Sequence, residues 1–505
     1  MKNKSNIFAF IWAICLILPA MLLLTACGGG GNNGNDGENG GSSTPTSNVY
    51  DFNYYYLPES DSYAIRKYIG KDKIVTLPDK YTDGRAITEI YISNSEDDQP
   101  FLNCSIEEVT IPASITKLHN DENVFYGASN LRKITVAKDN PTLASYDDCL
   151  YNKDFTTLFA VPYKKNNELK LPDALTKITT NALGMLYVRN ATEMQYLLDI
   201  DDCHEKRLGA DITSVTLPSG ITELGWDTFN GCANLKMVDM SKTQVKTLDY
   251  YDFAYTPSLE NVIFPSTLRY IKFRAFAFSG IKELTIPKDV TSISFFGDEY
   301  ENAGIQPSDE VFIGCRYLEK ITAPASVLFG VKKYQGTDYV RNHHWNYGLE
   351  CNRATFFGCI NLKEIVVNNF VENESYMLPN FTLSVLADYF EGKRVPESYT
   401  FEEKASMTFR SLERIVYDFD MSNWLSDTTK AGRWELHYNP YASTEFEGGT
   451  MNAKNLFTAY PNLKVYTNSV EGMQKVLTYY VLSIYEEELG NRIRAAVRPM
   501  SELGE

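Results

Sequence analysis

Two nearly identical phrases occur in this chain, TFNGCANLKMVDM at residues 228–240 and TFFGCINLKEIVV at residues 355–367. Phenylalanine, glycine, cysteine, asparagine, leucine and lysine stand at the same places in both copies. The first copy ends in Val238 and Met240, which flank the polar Asp239. Repetition of a phrase this long indicates an architecture built from internal repeats.

The leading phenylalanine and its apolar followers recur elsewhere in the chain. Counted from each phenylalanine, apolar residues fall at about +6, +9 and +11, often with proline next. The interval from Phe229 to Phe253 is 24 residues, and that from Phe253 to Phe276 is 23. Further copies begin at Phe125, Phe312 and Phe356.

The spacing of apolar residues predicts one short strand in each repeat. Leu284 and Ile286 flank Thr285, which is the alternation of a strand with one buried face. Successive copies of such a strand would lie about 4.8 Å apart as a parallel sheet, with the phenylalanine and leucine beneath it. The proline would end each strand, and Gly231, Gly314 and Gly358 would supply tight turns with positive φ. The predicted fold is therefore a strand-rich α/β solenoid of stacked parallel strands.

These motifs resemble the BspA-like class of bacterial leucine-rich repeats. The resemblance covers roughly residues 51–467 and implies cell-surface display and the binding of proteins or other macromolecules. It rests on the F-x-G-C-x-x-L phrase at Phe229, Phe312 and Phe356, on ELTIPKDVTSI (283–293) and EVTIPASITKL (108–118), on the coil variant at 139–162, and on the opening coils at 62–90.

Irregular inserts interrupt the predicted array, and a helix is expected to follow it. The inserts span 186–212, 297–310, 328–352, 370–405 and 418–450. Ser469 is a candidate N-cap for one helix from Val470 to about Leu489, ended by Gly490. Its apolar face, made by Val470, Met473, Leu477 and Tyr480, would cover the open end of the stack. The expected organisation is a signal peptide (1–26), a flexible tether (27–48), the solenoid (49–467), and a helical cap with a tail (468–505).

The first residues have the layout of a secretory signal. Lys2 and Lys4 precede an apolar run at 7–24, and small residues stand directly before Cys27. The stretch ending in Cys27 resembles the lipobox of bacterial lipoproteins, which implies cleavage before Cys27 and acylation of this residue. An uncleaved signal anchor, in which Cys27 has no role, is the alternative. The glycine- and asparagine-rich residues 28–48 cannot form a core and predict a flexible tether.

The composition limits the classes of partner. A formal charge of −17 disfavours nucleic acid and anionic lipid as ligands. The sequence carries no G-x-S-x-G, H-E-x-x-H or G-x-x-x-x-G-K-[ST] motif. No catalytic residue, metal or cofactor is therefore expected, and membrane contact is expected through the lipid anchor alone.

Three cysteines occupy one position of the repeat, Cys232, Cys315 and Cys359, which favours thiols in the coil interior over a catalytic role. A bridge between Cys351 and Cys359 stays open, because sequence alone cannot establish a disulfide. The segment DDCHEK at 201–206 contains metal-ligating residue types without a spaced partner pair, which favours a solvated loop.

An aromatic insert, YQGTDYVRNHHWNYG at residues 334–348, is the candidate binding segment. Tyrosine, tryptophan and arginine dominate binding hot spots. The alternative is that these rings pack the insert onto the solenoid. The candidate residues are Tyr334, Tyr339, Arg341, His343, His344, Trp345 and Tyr347.

The expected function is that of a lipid-anchored protein of the bacterial cell surface, which binds macromolecules of a host or a neighbouring cell without catalysis. A long face of stacked strands suits recognition of an extended partner. One rival is a protein that captures glycans through the aromatic insert, and the other is a hydrolase with carboxylates on the inserts. The sequence leaves the ligand, the envelope type and the oligomeric state open.

Overall fold

The structure is a computed structural model. It describes residues 48–93, 99–165, 167–183, 209–272, 274–293, 311–328, 355–356, 358–370, 410, 412–419, 456–457, 460–482 and 487–504.

Short strands are the most frequent regular element among the described residues. In the N-terminal part they are β1 (Phe52–Leu57), β2 (Ser62–Tyr68), β3 (Ile74–Thr76), β4 (Ile87–Ile90), β5 (Glu108–Ile111), β6 (Lys117–Leu118), β7 (Lys133–Val136), β8 (Leu143–Tyr146), β9 (Cys149–Asn152), β10 (Thr157–Ala160), β11 (Asn167–Glu168) and β12 (Lys177–Ile178). They continue as β13 (Ile212–Thr216), β14 (Glu223–Leu224), β15 (Met237–Asp239), β16 (Thr247–Leu248), β17 (Asn261–Ile263), β18 (Tyr270–Lys272), β19 (Glu283–Thr285), β20 (Thr291–Ile293), β21 (Lys320–Ala323), β22 (Glu364–Val367), β23 (Arg414–Tyr417), β24 (Lys464–Thr467) and β25 (Val497–Pro499). The helices are α1 (Ala325–Leu328), α2 (Val470–Leu482) and α3 (Glu487–Ala496), and 3-10 turns lie at Val49–Asp51, His119–Asp121 and Met500–Glu502.

The strands form two sets, which alternate along most of the chain. The first set, called here the main face, contains the parallel sheets β3-β5-β7, β11-β13-β15-β17 and β19-β21-β22-β23-β24-β25. Its register is regular, since Val238 on β15 lies opposite Val215 and Val262 on its neighbours. The predicted stacking of parallel strands is thereby confirmed.

The second set of strands contains the sheets β1-β2-β4-β6, β14-β12-β10-β9-β8 and β16-β18-β20. Most of its pairs are parallel. Antiparallel pairing occurs between β1 and β2 and through β8, β9 and β10. The sequence did not predict these antiparallel strands. The antiparallel strands β8, β9 and β10 lie within the coil variant at residues 139–162.

A stack of phenylalanine rings runs through the interior. Ring centroids lie 5.2 Å apart between Phe229 and Phe253 and 5.1 Å apart between Phe253 and Phe276, with interplanar angles of 13° and 11°. Phe312 and Phe356 continue the stack at 5.8 and 5.7 Å. All five rings are fully buried. The prediction that each repeat contributes its leading phenylalanine to a shared interior is confirmed.

The turn after each leading phenylalanine is also regular. Gly231, Gly314 and Gly358 have φ of 72°, 71° and 81°, as predicted. At the same position Tyr255 and Phe278 adopt φ of 55° and 59°, which is unfavourable for residues with a side chain. Their rings stack on each other at 4.8 Å, and this contact offsets part of the strain.

The cysteines at the shared repeat position are interior thiols, as the sequence predicts. Cys232, Cys315 and Cys359 are fully buried, and none forms a disulfide. Each thiol donates to the carbonyl of the leading residue of the preceding coil, which is Leu183, Phe276 and Phe312 respectively. Cys359 is a free thiol among the described residues, and Cys351, its possible partner, lies outside them.

The buried apolar residues form two main cores, and β9 lies at their boundary. Leu150 packs into the N-terminal core, while Cys149 and Tyr151 on the same strand pack into the second core. This division follows from the alternation of side chains along a strand. The antiparallel strands β8–β10 therefore mark the point where one stack ends and the next begins.

The C-terminal end differs from the expected single helix. Helix α2 begins at Val470 as predicted, and Met473 and Leu477 on it are buried. It ends at Leu482, however, and a second helix runs from Glu487 to Ala496. Gly490 lies inside this second helix, so the predicted helix end at Gly490 is wrong. The side chain of Tyr480 lies outside the described residues.

After α3 the chain returns to the main face. Strand β25 pairs in parallel with β24, and Met500 and Leu503 pack on the outer surface of the sheet. The residues beneath them are Val366, Val416 and Tyr466. Earlier strands carry threonine at the equivalent outward position, as at Thr285 and Thr322. Within the described residues, the terminal segment thus covers a row of apolar outward residues on three neighbouring strands.

Candidate functional site

The site residues predicted from sequence lie outside the described residues. This applies to Cys27 and to all seven candidates of the aromatic insert, Tyr334, Tyr339, Arg341, His343, His344, Trp345 and Tyr347. It applies equally to the metal-like segment at 201–206. The described residues offer two other surfaces, which are the main face and a groove between the two cores.

Much of the main face is covered by paired charges. At one end Lys73 binds Glu107 at 2.7 Å, and Arg132 binds Glu108. Toward the other end Glu364 accepts from both Lys320 and Arg414 at 2.8 Å, one from each neighbouring strand. Opposite charges on adjacent strands stabilise the register by about 0.2–1 kcal/mol per pair.

Between these charged regions the main face presents an apolar patch. Met237 on β15 and Ile263 on β17 are 37% and 39% exposed, and they are diagonal neighbours across the strand pair. Their register partners are polar, since Ser214 and Asn261 lie opposite Met237 and Asp239 lies opposite Ile263. We call Met237 and Ile263 the central patch. Single exposed apolar residues are common, and the central patch differs from them in placing two such residues on neighbouring strands of one sheet.

A groove of about 690 Å³ lies where the two cores meet. Its floor comes from β8–β10, including Leu143, Asn152 and Thr157, and from Thr142 just before β8. One wall is formed by residues of 116–122, and the other by the ends of β12 and β14. We call it the junction groove. It exists because the antiparallel strands interrupt the regular stacking of coils.

A hydrogen bond joins the segments that follow the two walls of the junction groove. The side-chain amide of Asn123, which is buried, donates to the carbonyl of Asn181 at 2.9 Å. On the first wall Asn120 and Asp121 both adopt left-handed backbone angles, with φ of 56° and 53°. Asparagine and aspartate tolerate this conformation better than most residues. The groove is therefore held open by fixed contacts.

Trp226 lies at the rim of the junction groove and is 51% exposed. Its ring meets that of Tyr250 at 5.1 Å and nearly at a right angle. The ammonium of Lys272 lies 4.7 Å from the centre of the Tyr250 ring and binds the carboxylate of Asp249 at 2.9 Å. This chain of contacts fixes the indole while half of its surface stays in solvent.

Two carboxyl groups close to Trp226 have raised pKa values. Burial is the main cause in both. It raises the pKa of Asp227 to about 6, against a hydrogen bond from Asn230 at 2.6 Å. It also raises the pKa of Asp252, which accepts from the backbone N–H groups of Asp249 and Thr228. These carboxyl groups bind protons more tightly in the folded chain than in the unfolded chain.

Stability is therefore expected to fall as the pH rises from about 4 to 6. In this window Asp227 is protonated more in the folded than in the unfolded protein, whose aspartates titrate near pH 4, and linkage then makes the free energy of unfolding decrease with pH. Urea unfolding at pH 4.5, 5.5 and 6.5 measures this slope, and Asp227→Asn should make it shallower. Asp239→Asn is the control, because hydrogen bonds from Ser241 lower the pKa of Asp239 and move its titration below the window. Equal slopes for wild type and Asp227→Asn would contradict the prediction.

The described residues contain little that resembles a catalytic or metal centre. Within them, no group of three or more His, Cys, Asp or Glu side chains is placed to hold a metal ion. Burial raises the pKa of Cys232 to about 12 and that of Cys315 to about 11, so neither thiol is a nucleophile near neutral pH. Among the described residues there is also no helix with the length and apolarity needed to cross a membrane.

Four carboxylates line the junction groove, two on each side. Glu223 lies 3.8 Å from Lys177, and Asp249 is bound by Lys272. Asp121 and Glu122 are sequence neighbours on the opposite wall, and burial raises the pKa of Glu122. Glycoside hydrolysis uses two available carboxyl groups that flank the scissile bond. In this groove each carboxylate of the second wall lies close to a lysine.

The sequence predicts the long face of stacked strands, but it did not predict the central patch on that face or the junction groove. The groove combines segments that are far apart in the chain, and none of them carries a motif. Trp226 was one available signal of the groove, because an aromatic residue three positions before the leading phenylalanine is not part of the repeat pattern. The central patch could have been found by placing Met237 and Ile263 at the outward positions of their strands.

A family model described as "BspA type Leucine rich repeat region" matches residues 85–183 and 209–297 in six copies. No curated protein matches the chain.

A search of solved structures found several similar chains. A leucine-rich repeat protein from Bacteroides ovatus is 17% identical, with 72% of this chain and 83% of that chain covered and a TM-score of 0.34. The pneumococcal vaccine antigen PcpA is 17% identical, with 65% and 61% covered and a TM-score of 0.34. A leucine-rich cell surface protein from Faecalibacterium prausnitzii is 17% identical, with 65% and 73% covered and a TM-score of 0.30.

Proposed function

We propose, on the premise that residues 85–183 and 209–297 are BspA-type leucine-rich repeats, that the protein is a non-catalytic binding protein of the bacterial cell surface. Its partner is a protein of a host or a neighbouring cell. The observation that carries this proposal is the exposed central patch, Met237 and Ile263, on an otherwise charge-paired and ordered sheet.

The make-up of the main face supports a protein partner. Its charges alternate in sign across strands, as at Glu283, Lys320 and Glu364, so it offers no uniform field for a polyanion. Interfaces between proteins combine an apolar centre with a polar rim, and the central patch has this arrangement. Lys236 and Glu260 lie beside it and form part of the rim.

The terminal segment supports the same location for the binding surface. Met500 and Leu503 already cover Val366, Val416 and Tyr466. A partner therefore cannot contact these three outward residues, because the terminal segment covers them. The central patch, several strands away, is exposed. A partner is thus expected on the middle coils of the main face.

Replacing Met237 and Ile263 together by glutamate should abolish binding of the protein partner, because two charges would have to be desolvated at the centre of the contact. The full chain, purified in detergent, would first be screened against arrays of host and bacterial surface proteins. Binding of any hit to the double variant would then be measured by surface plasmon resonance, with at least a hundredfold weaker affinity expected.

Tyr270→Glu is the matched control for that experiment. Tyr270 is 42% exposed but lies on β18, in the second set of strands. The Tyr270→Glu variant should bind the protein partner as the wild type does. Loss of binding in the control together with retention in the Met237/Ile263 variant would refute a contact on the central patch.

The lipid anchor is part of the proposal and rests on Cys27. Its small-residue context after the apolar run at 7–24 supports acylation, and several acyl chains hold a protein stably on a membrane. Cells that express the full chain and are fed radiolabelled palmitate should label the wild type and Cys15→Ala, but not Cys27→Ala. Equal labelling of Cys27→Ala and wild type would remove the anchor from the account.

A further inference from the structure

We propose that the junction groove is a second binding site, independent of the main face, and that its ligand is a neutral oligosaccharide chain. The groove of about 690 Å³ joins an exposed tryptophan, unpaired hydroxyl groups and charges of both signs. Its volume lies within the usual range for small-ligand sites. A few sugar units of a longer chain would fit, while the rest of the chain would extend beyond the open ends.

The Trp226 indole provides the apolar surface that such a ligand needs. A pyranose ring presents C–H groups on its face, and these carry the partial positive charge that the negative face of an aromatic ring attracts. Trp226 is half exposed and is held in place by Tyr250, which in turn is fixed beneath Lys272. A fixed ring loses little conformational freedom when a ligand stacks on it.

The polar groups of the groove match the hydroxyl groups of a sugar. Within the part of the chain that the structure describes, the side-chain hydroxyls of Thr116, Thr157 and Thr180 make no hydrogen bond to protein. The same holds for the side-chain amide of Asn120. Hydroxyl and amide groups both donate and accept, so together they pair with ligand hydroxyls in either direction. These groups come from both walls and the floor.

The charges of the groove select against acidic ligands. Asp121, Glu122, Glu223 and Asp249 face two lysines, Lys117 and Lys177. Lys117 binds Glu89 at 3.0 Å, and Lys177 lies 3.8 Å from Glu223. No free positive cluster remains for a sulfate, phosphate or carboxylate group. A neutral glycan is therefore favoured over an acidic one.

Isothermal titration of the full chain in detergent with neutral hexasaccharides tests the proposal. The probes are maltohexaose, cellohexaose, mannohexaose and chitohexaose, with a heparin hexasaccharide as the acidic comparison. At least one neutral probe should bind, and the heparin probe should not. Trp226→Ala should weaken binding at least tenfold, Thr180→Val should weaken it several-fold, and Trp226→Phe should retain most of it.

Tyr270→Ala is the control, because Tyr270 is an exposed aromatic residue outside the groove, and it should bind like the wild type. The Met237/Ile263 glutamate variant should also bind the glycan normally, so that failure of the protein contact and failure of the glycan site are distinguishable. The proposal is overturned if no neutral probe binds, if heparin binds best, or if Trp226→Ala binds like the wild type. Shortening of the bound probe would contradict a site without catalysis.

Discussion

Replacing Phe253 by alanine is expected to lower the free energy of unfolding by about 3–5 kcal/mol. Phe253 is fully buried, and its ring lies between those of Phe229 and Phe276 at 5.2 and 5.1 Å. The substitution leaves a cavity and removes two aromatic contacts at once. In a stack where each coil touches only its neighbours, a defect in the middle also separates the coils on either side.

The loss in Phe253→Ala can be measured by urea unfolding followed by far-ultraviolet circular dichroism. Tyr270→Ala serves as the control, since Tyr270 is exposed on the same coil and its truncation should change stability by less than about 0.5 kcal/mol. An unfolding midpoint for Phe253→Ala within error of the wild type would mean that the ring stack does not support the fold.

Replacing Gly280 by alanine is expected to lower the free energy of unfolding by about 3 kcal/mol or more, which is the second large effect. The coil that begins at Phe276 is one residue shorter than its neighbours, because its next apolar residue, Ile281, follows at +5 rather than +6. The shortened chain crosses directly over the preceding coil. The Gly280 N–H donates to Thr256 at 2.9 Å, and a Cβ on Gly280 would lie 1.8 Å from the Pro257 carbonyl oxygen.

Relief of this contact requires the two coils to move apart, because the obstructing atom belongs to the backbone. Gly504→Ala is the matched control, since a Cβ there has open space around it. Thermal unfolding of both variants should show a large decrease for Gly280→Ala and no decrease for Gly504→Ala. Equal melting temperatures for Gly280→Ala and wild type would show that the coils are not in contact at this point.

The repeat could be read from the sequence because its signal is local and recurs. The spacing of Phe229, Phe253 and Phe276 predicts the interior stack, and the alternation of apolar and polar residues around Thr285 predicts the strand. Each of these features depends on residues within one coil. Every coil has to bury the same side of its chain. The same apolar positions therefore recur in each repeat.

The C-terminal end was less accessible to sequence reasoning. Gly490 has the residue type that often ends a helix, yet it lies buried within α3 together with Leu489 and Ile493. The return of β25 to the sheet depends on contacts with β24 and on the apolar outward residues of the last strands. Such tertiary contacts are distant in sequence and outweigh a local preference.

The junction groove could not be predicted because no single segment encodes it. It requires the antiparallel strands β8–β10 to separate two stacks, so that residues of 116–122 face the ends of β12 and β14. From sequence, residues 139–162 were recognised as a different coil but not as antiparallel strands. The aromatic insert at 334–348 stays a prediction.

Cross-linking between outward positions of the main face tests the central claim, the in-register stacking of coils, most directly. Thr285 and Thr322 are register partners on β19 and β21, although 37 residues separate them in the chain. In the variant with cysteine at both positions, mild oxidation should form a disulfide between them, since adjacent strands lie within the distance that a disulfide spans. Thr216 and Thr322 lie four strands apart, about 19 Å at ~4.8 Å per strand, and should not cross-link. Cross-linking of the distant pair, or its absence in the adjacent pair, would contradict the account.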